Sequence, residues 1–200
     1  MMTENPTSIL VRAAEPDDAL DLASLKVVCW RSAYPGLIPQ SELDHLDAAS
    51  EAPHWRDWLS DSESRMIACL VELDGELVGY GLAGPMRLGD RPGREIDADA
   101  ELYALYVHPD HLRKGLGQRL MAALLEKMMS DGYSSLGAWM VGGNLVAEAF
   151  YHKLGAEEAG KRVEIRHGRI AYREKAWRWS TLSALKTNLE RLLMQSEGER

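Results

Sequence analysis

Asp74-Gly75 stands between two apolar runs in RMIACLVELDGELVGYGLAG (65–84). An Asp-Gly pair flanked in this way signals a tight hairpin, because the favoured two-residue turn needs positive φ at its centre. Two antiparallel strands in mid-chain exclude an all-parallel sheet. Strands are also expected at 8–14, 100–107 and 134–141, with two more on either side of a turn at His167-Gly168. The first helix is expected over 15–34: Pro16 suits a first turn, and Leu22, Leu25, Val28 and Cys29 recur at helical spacing. Pro35, Gly36 and Pro39 end it. Further helices are expected over 48–59, 114–130, 144–155 and 180–194, and the leucines at 182, 185, 189 and 192 of the last form a packing stripe. Residues 85–97 have the Pro, Gly and charge content of a loop. The alternation after the hairpin implies an α/β chain with a mixed sheet and helices on both faces.

Composition narrows the function classes. Two hundred residues suit one domain, and 46% apolar content supports a real core. A net charge of −8 argues against a nucleic-acid partner. No apolar run approaches the roughly 20 residues that span a bilayer, so no membrane partner is expected. MMTENPTSILVR lacks the basic and apolar regions of a signal peptide. Cys29 and Cys69 sit among apolar residues as reduced thiols, in keeping with a cytoplasmic protein. His108 and His111 form an HxxH without further ligands nearby, so no metal is expected. His152 is expected on the surface.

The chemistry concentrates in VHPDHLRKGLGQRLM (107–121), where a strand passes through a proline into a glycine-bearing helix start. The first N–H groups of a helix lack intrahelical partners and suit an anion. Gly115 and Gly117 let a bulky group approach that backbone, and Arg113 and Lys114 add positive charge. The loop lacks the Lys-Ser/Thr of a P-loop, and Leu120 occupies the third glycine position of a dinucleotide fingerprint.

The segment resembles motif A of the GNAT superfamily of N-acetyltransferases, [QR]-x-x-G-x-[GA] after an LYV-x-P strand end. Here it reads Leu105-Tyr106-Val107-His108-Pro109, then Leu112-Arg113-Lys114-Gly115-Leu116-Gly117, with Leu112 departing from the usual Gln or Arg. NLVAEAFYHKLGAE (144–157) resembles the family's N-x-x-A-x-x-F-Y-x-K-x-G-F, with Ala156 replacing the last Phe. WRSAYPGLIP (30–39) and HWRDWL (54–59) resemble acceptor-side helices of bacterial members. The likeness covers 8–179, leaving 180–200 as a C-terminal helix and tail.

The resemblance implies a GNAT-like fold, with about seven strands splayed between the fourth and fifth. It implies acetyl-CoA as cosubstrate, with pantetheine on the main chain of Leu105, Tyr106 and Val107. Pyrophosphate would lie on the amides of Arg113 to Gln118, in the segment Leu112, Arg113, Lys114, Gly115, Leu116, Gly117, Gln118. Asn144 would touch the cofactor too. Tyr151 matches the tyrosine near the thioester sulfur that acts as general acid. Glu101 is the expected base, directly or through water, with Asp99 on its face by strand alternation. The Tyr106 N–H would hold the oxyanion. Trp30, Tyr34 and Trp55 would line the acceptor pocket.

The resemblance implies a small-molecule or peptide amine as acceptor. Asp44, Asp47, Glu51 and Asp57 on the acceptor segment favour a cationic one. A non-catalytic acetyl-CoA sensor and a nucleotide-dependent phosphotransferase are the rival readings. Acyl-chain preference stays open, as does the choice between a monomer and the homodimer found among relatives.

Overall fold

The computed structural model describes residues 8–87, 96–166 and 169–198. The turn at His167-Gly168, most of the expected loop 85–97 and the first seven residues lie outside the described residues. The hairpin forms as expected. β2 (Ile67–Leu73) and β3 (Glu76–Pro85) pair antiparallel, turning through Asp74 at φ 53° and Gly75 at φ 85°. β1 (Ile9–Ala13) lies outside β2. On the other side come β4 (Ala100–Val107), β5 (Leu136–Val141), β7 (Arg169–Trp179) and β6 (Glu157–Arg166). The seven-stranded sheet runs β1-β2-β3-β4-β5-β7-β6, and β4 with β5 is its parallel pair.

One face is covered by α4 (Leu116–Ser130), α5 (Leu145–Lys153) and α6 (Leu182–Gly198). Leu120, Leu124 and Met128 of α4 meet Leu185 and Leu189 of α6 in a core where each is at most 1% exposed. α6 is thus part of the main core, and its leucine stripe packs inward as expected. The other face carries α1 (Ala19–Ala33) and α3 (Ala48–Ser60), with Leu22, Leu25 and Cys29 packed on Leu70 and Tyr80.

The first helix starts later than its periodicity suggests, because Pro16–Asp18 form a 3-10 turn. Asp18 accepts from the guanidinium of Arg12 there, which holds the carboxyl below its ordinary range. A short helix not foreseen in the sequence, α2 (Gln40–Asp44), begins directly after Pro39 and buries Leu43. Among the described residues, no helix is long and apolar enough to cross a membrane, and no cluster of three metal-ligating side chains occurs.

Candidate active site

β4 is two half-strands. Ala100, Glu101 and Leu102 pair with Leu136, Gly137 and Ala138 of β5, and the pairing then stops. The parting coincides with a bulge. Leu82 opposes Ala104 and Ala83 opposes Leu102, which leaves Tyr103 as the extra residue. A bulge bends its strand and re-aims the residues beyond it, so β4 leaves β5 at Tyr103. The Tyr103 ring is pinned aside, its hydroxyl donating to the Pro85 carbonyl and its face under Arg87.

The register also says which backbone groups face the gap. His108 N–H donates to the Val78 carbonyl at 2.7 Å. Hydrogen-bonded pairs alternate along an antiparallel ladder, so the next is Tyr80 with Tyr106. The Tyr106 N–H therefore points into β3, which corrects its expected role as oxyanion donor. The main chains of Leu105 and Val107 turn the other way, towards the gap. On that side the Cys29 thiol lies 3.5 Å from the Val107 carbonyl; burial pushes this thiol up to about 12.

The strand ends in the glycine loop. Arg113 and Gly115 both have positive φ, 62° and 79°. Gly115 caps α4 in the left-handed region where a side chain is strained, so its glycine has a structural reason. Gly117 does not need to be glycine for packing. A Cβ there would sit 3.6 Å from the Phe150 ring, an ordinary contact, so the bare backbone leaves room for something outside the chain. Among the described residues, the N–H groups of Arg113 to Gly117 have no backbone acceptor. That of Gln118 donates to the Gly115 carbonyl at 3.1 Å, so the free set ends one residue earlier than expected. The Gln118 and Leu116 side chains are buried, Leu112 is exposed, and Lys114 Nζ contacts His111 Nδ1.

Tyr151 projects from α5 among Trp177, Trp179 and Phe150, and its hydroxyl has no partner among the described residues. Burial, helped by Tyr34, raises its pKa above the ordinary phenol value. The Tyr34 and Tyr106 hydroxyls share a 2.7 Å hydrogen bond, and burial pushes both phenols up as well. Tyr151 bears electrostatically on Tyr106, as Tyr34 does on Tyr151. Asn144 caps α5, its oxygen accepting from Ala147 N–H at 3.1 Å, which leaves the amide nitrogen for a ligand.

Other expected residues are spent differently. Glu101 is 2% exposed, and Arg87 takes both its oxygens: Nη2 reaches Oε1 at 2.6 Å, while Nε and the backbone N–H reach Oε2 at 3.1 Å each. Asp99 precedes β4 and accepts from the N–H and hydroxyl groups of Ser134 and Ser135, so it is no base. Trp30 stacks edge-on against Tyr34, 5.1 Å between centroids, whereas Trp55 is spent in the core on Tyr80 and Trp58. Asp47 caps α3 and Glu51 pairs with Lys26 at 2.6 Å, so these two carboxylates do not wait for a cationic acceptor.

A parted parallel pair, an unpaired strand edge and a run of free N–H groups at its end are a fit for a thioester on a long diphosphate-bearing arm. The acetyltransferase (GNAT) family model matches residues 30–156. The chain belongs to this family. It is an N-acetyltransferase, with acetyl-CoA as cosubstrate. YuaI, an uncharacterised N-acetyltransferase of Bacillus subtilis, is 30% identical over 184 residues, covering 92% of this chain and 99% of its own. The L-methionine sulfoximine/L-methionine sulfone acetyltransferase of Pseudomonas aeruginosa is 28% identical over 66% of this chain and 72% of its own. The fold is shared with the PaiA N-acetyltransferase of Thermoplasma acidophilum, solved with coenzyme A. That match has a TM-score of 0.63 at 19% identity and covers 86% of this chain and 99% of that one.

Sequence reading missed several members of this GNAT site. Arg87 sits in a stretch that reads only as loop. Trp139, Tyr172, Glu174 and Arg162 share the α1 face of the sheet through strand register, which needs the β5-β7-β6 pairing to be known.

Proposed function

We propose that the enzyme moves the acetyl group of acetyl-CoA to a primary amine of a small molecule or peptide, by direct attack with both substrates bound. The observation that carries this reading is the open half of β4, an unpaired main-chain edge leading into five free N–H groups. Acetyl-CoA supplies an activated thioester and a thiolate leaving group. The main chain of Leu105 and Val107 holds the arm in the manner of an added strand. The amides of Arg113 to Gly117, with Lys114 nearby, hold the diphosphate.

An amine arrives protonated, with an ordinary pKa near 10.4, and must lose a proton to attack. Glu101 receives that proton through a bridging water, at the lone pair of Oε1 that its single bond from Arg87 leaves open. The Leu105 N–H, directed into the gap, takes the oxyanion role expected of Tyr106. Tyr151, kept protonated by burial, gives its proton to the departing sulfur. The name of the Pseudomonas aeruginosa relative, an acetyltransferase of a small amino-acid derivative, supports a small amine acceptor.

The test is release of free CoA thiol by the purified protein, with acetyl-CoA and a panel of primary amines. Amine-dependent release is expected. Tight acetyl-CoA binding without release under any amine would instead establish the sensor reading.

A further inference from the structure

On the face of the sheet that carries α1, Val141 of β5, Glu174 of β7 and Arg162 of β6 are cross-strand partners, so their side chains share that face. Trp139, two residues before Val141, lies there too. Tyr34, Leu37 and Ile38, which come after α1, reach across to Val141 and Tyr172. This row therefore borders the same opening as Tyr34 and Tyr106. Its centre is Glu174, whose side chain is 11% exposed. One carboxylate oxygen, Oε2, accepts from Arg162 Nε. The Arg162 guanidinium is held over the Trp139 ring at 4.0 Å. The other oxygen, Oε1, accepts nothing among the described residues. Glu174 also acts electrostatically on the Tyr34 hydroxyl and on Arg87.

Oε1 keeps contact with solvent, so a ligand's cation can reach it and form a charge-assisted pair there. Glu101 has no such donor-free oxygen, because Arg87 donates to both. The reacting nitrogen is a poor occupant for Glu174, since pairing an ammonium with a carboxylate makes its proton harder to lose. A second charge on the acceptor has no such conflict. We propose that Glu174 anchors a protonated group of the acceptor other than the nitrogen that is acetylated, so that the preferred acceptors are diamines or amines bearing a separate cationic group. This rests on the acetyl-transfer reading above and names the specificity residue of that site. Arg162 both aims Glu174 and competes with the acceptor for it.

The experiment compares α,ω-diamines of three to six carbons with the matched monoamines, reading CoA thiol release at saturating acetyl-CoA. The KM of the best diamine is expected about tenfold below that of its monoamine. Glu174→Gln, which can still accept from Arg162, should collapse that ratio towards one. Arg162→Met should lower the diamine KM by releasing the carboxylate. Opposite signs in the two variants separate anchoring from a structural ion pair, which would lower the melting temperature in both and leave the ratio alone. Equal KM values for the paired amines in the unaltered enzyme, or the same ratio in Glu174→Gln, overturn the proposal. If no amine is turned over, the acetyl-transfer reading fails and the anchor is still decided. Isothermal titration of the CoA-loaded protein with the diamines should then show binding that Glu174→Gln abolishes, and no binding to the unaltered protein overturns it.

Discussion

The two halves of β4 differ in their partners: the first pairs with both β3 and β5, the second with β3 alone. In the closed half, small residues let β4 and β5 approach. Ala100 and Ala138 are fully buried, and Gly137 has no room for a side chain, since a Cβ would lie 2.6 Å from the Met86 methyl and 2.9 Å from Ile96. Asp99 stitches this end to Ser134 and Ser135, and Arg87 locks Glu101. In the open half the ladder to β5 stops and aromatic hydroxyls collect, and the Leu105 and Val107 main chains face the gap with the Cys29 thiol as the neighbour of the Val107 carbonyl. On the proposed function the same strand gives stability at one end and binding at the other, divided by the single bulged residue Tyr103. This division predicts that changes in the open half act on ligand and turnover, while changes in the closed half, the proposed base Glu101 apart, act on the fold.

The largest effect is expected at the glycine loop. Gly117→Glu places a carboxylate where the diphosphate should sit, and acetyl-CoA affinity should fall on the order of 10³-fold. The melting temperature should barely move, because Phe150 tolerates a Cβ. Calorimetric titration with acetyl-CoA checks the affinity and a thermal melt the stability; undiminished affinity would break the assignment of this loop. Tyr151→Phe comes next. Turnover should drop about 10²-fold if the phenol donates its proton, with acetyl-CoA affinity nearly unchanged. Equal turnover in the variant would make Tyr151 a packing residue between Trp177 and Trp179.

The open half was the more legible of the two in the sequence. Gly115, Gly117 and the strand before them lie within a few residues of each other, so local spacing places the free N–H groups without knowledge of the fold. The Asp74-Gly75 hairpin was legible for the same reason. What failed depended on register. Strand alternation alone put Asp99 beside Glu101, but β4 begins at Ala100 and the serines of a distant loop capture Asp99. Tyr106 was assigned its N–H by likeness, yet the direction of that bond is set by the pairing of His108 with Val78. The Trp55 ring looked like pocket lining because helix aromatics carry no mark of which neighbour they meet. Arg87, Arg162 and Glu174 could not be found at all, since their partners come from other strands or from a loop with no periodic signal.

The smallest effect tests the closed half, and it has a definite sign in pH. Burial alone would raise the Asp99 carboxyl, but the donors of Ser134 and Ser135 outweigh it and bring it down from 3.8 to about 2. A carboxyl lowered by folding adds stability that is complete above its unfolded value and is lost as pH falls through its folded one. Asp99→Asn should therefore cost about 1 kcal/mol near neutrality, a modest figure because the site is open to solvent. In a chain of this length that is about 2–4 °C in melting temperature. The gap between variant and parent should hold down to about pH 5 and close progressively between about 4 and 2. Acetyl-CoA affinity at neutral pH should stay the same in both, since the stitched end holds none of the free donors. A loss of affinity matching the loss of stability would show that the two ends of β4 are coupled, and would remove the division at Tyr103.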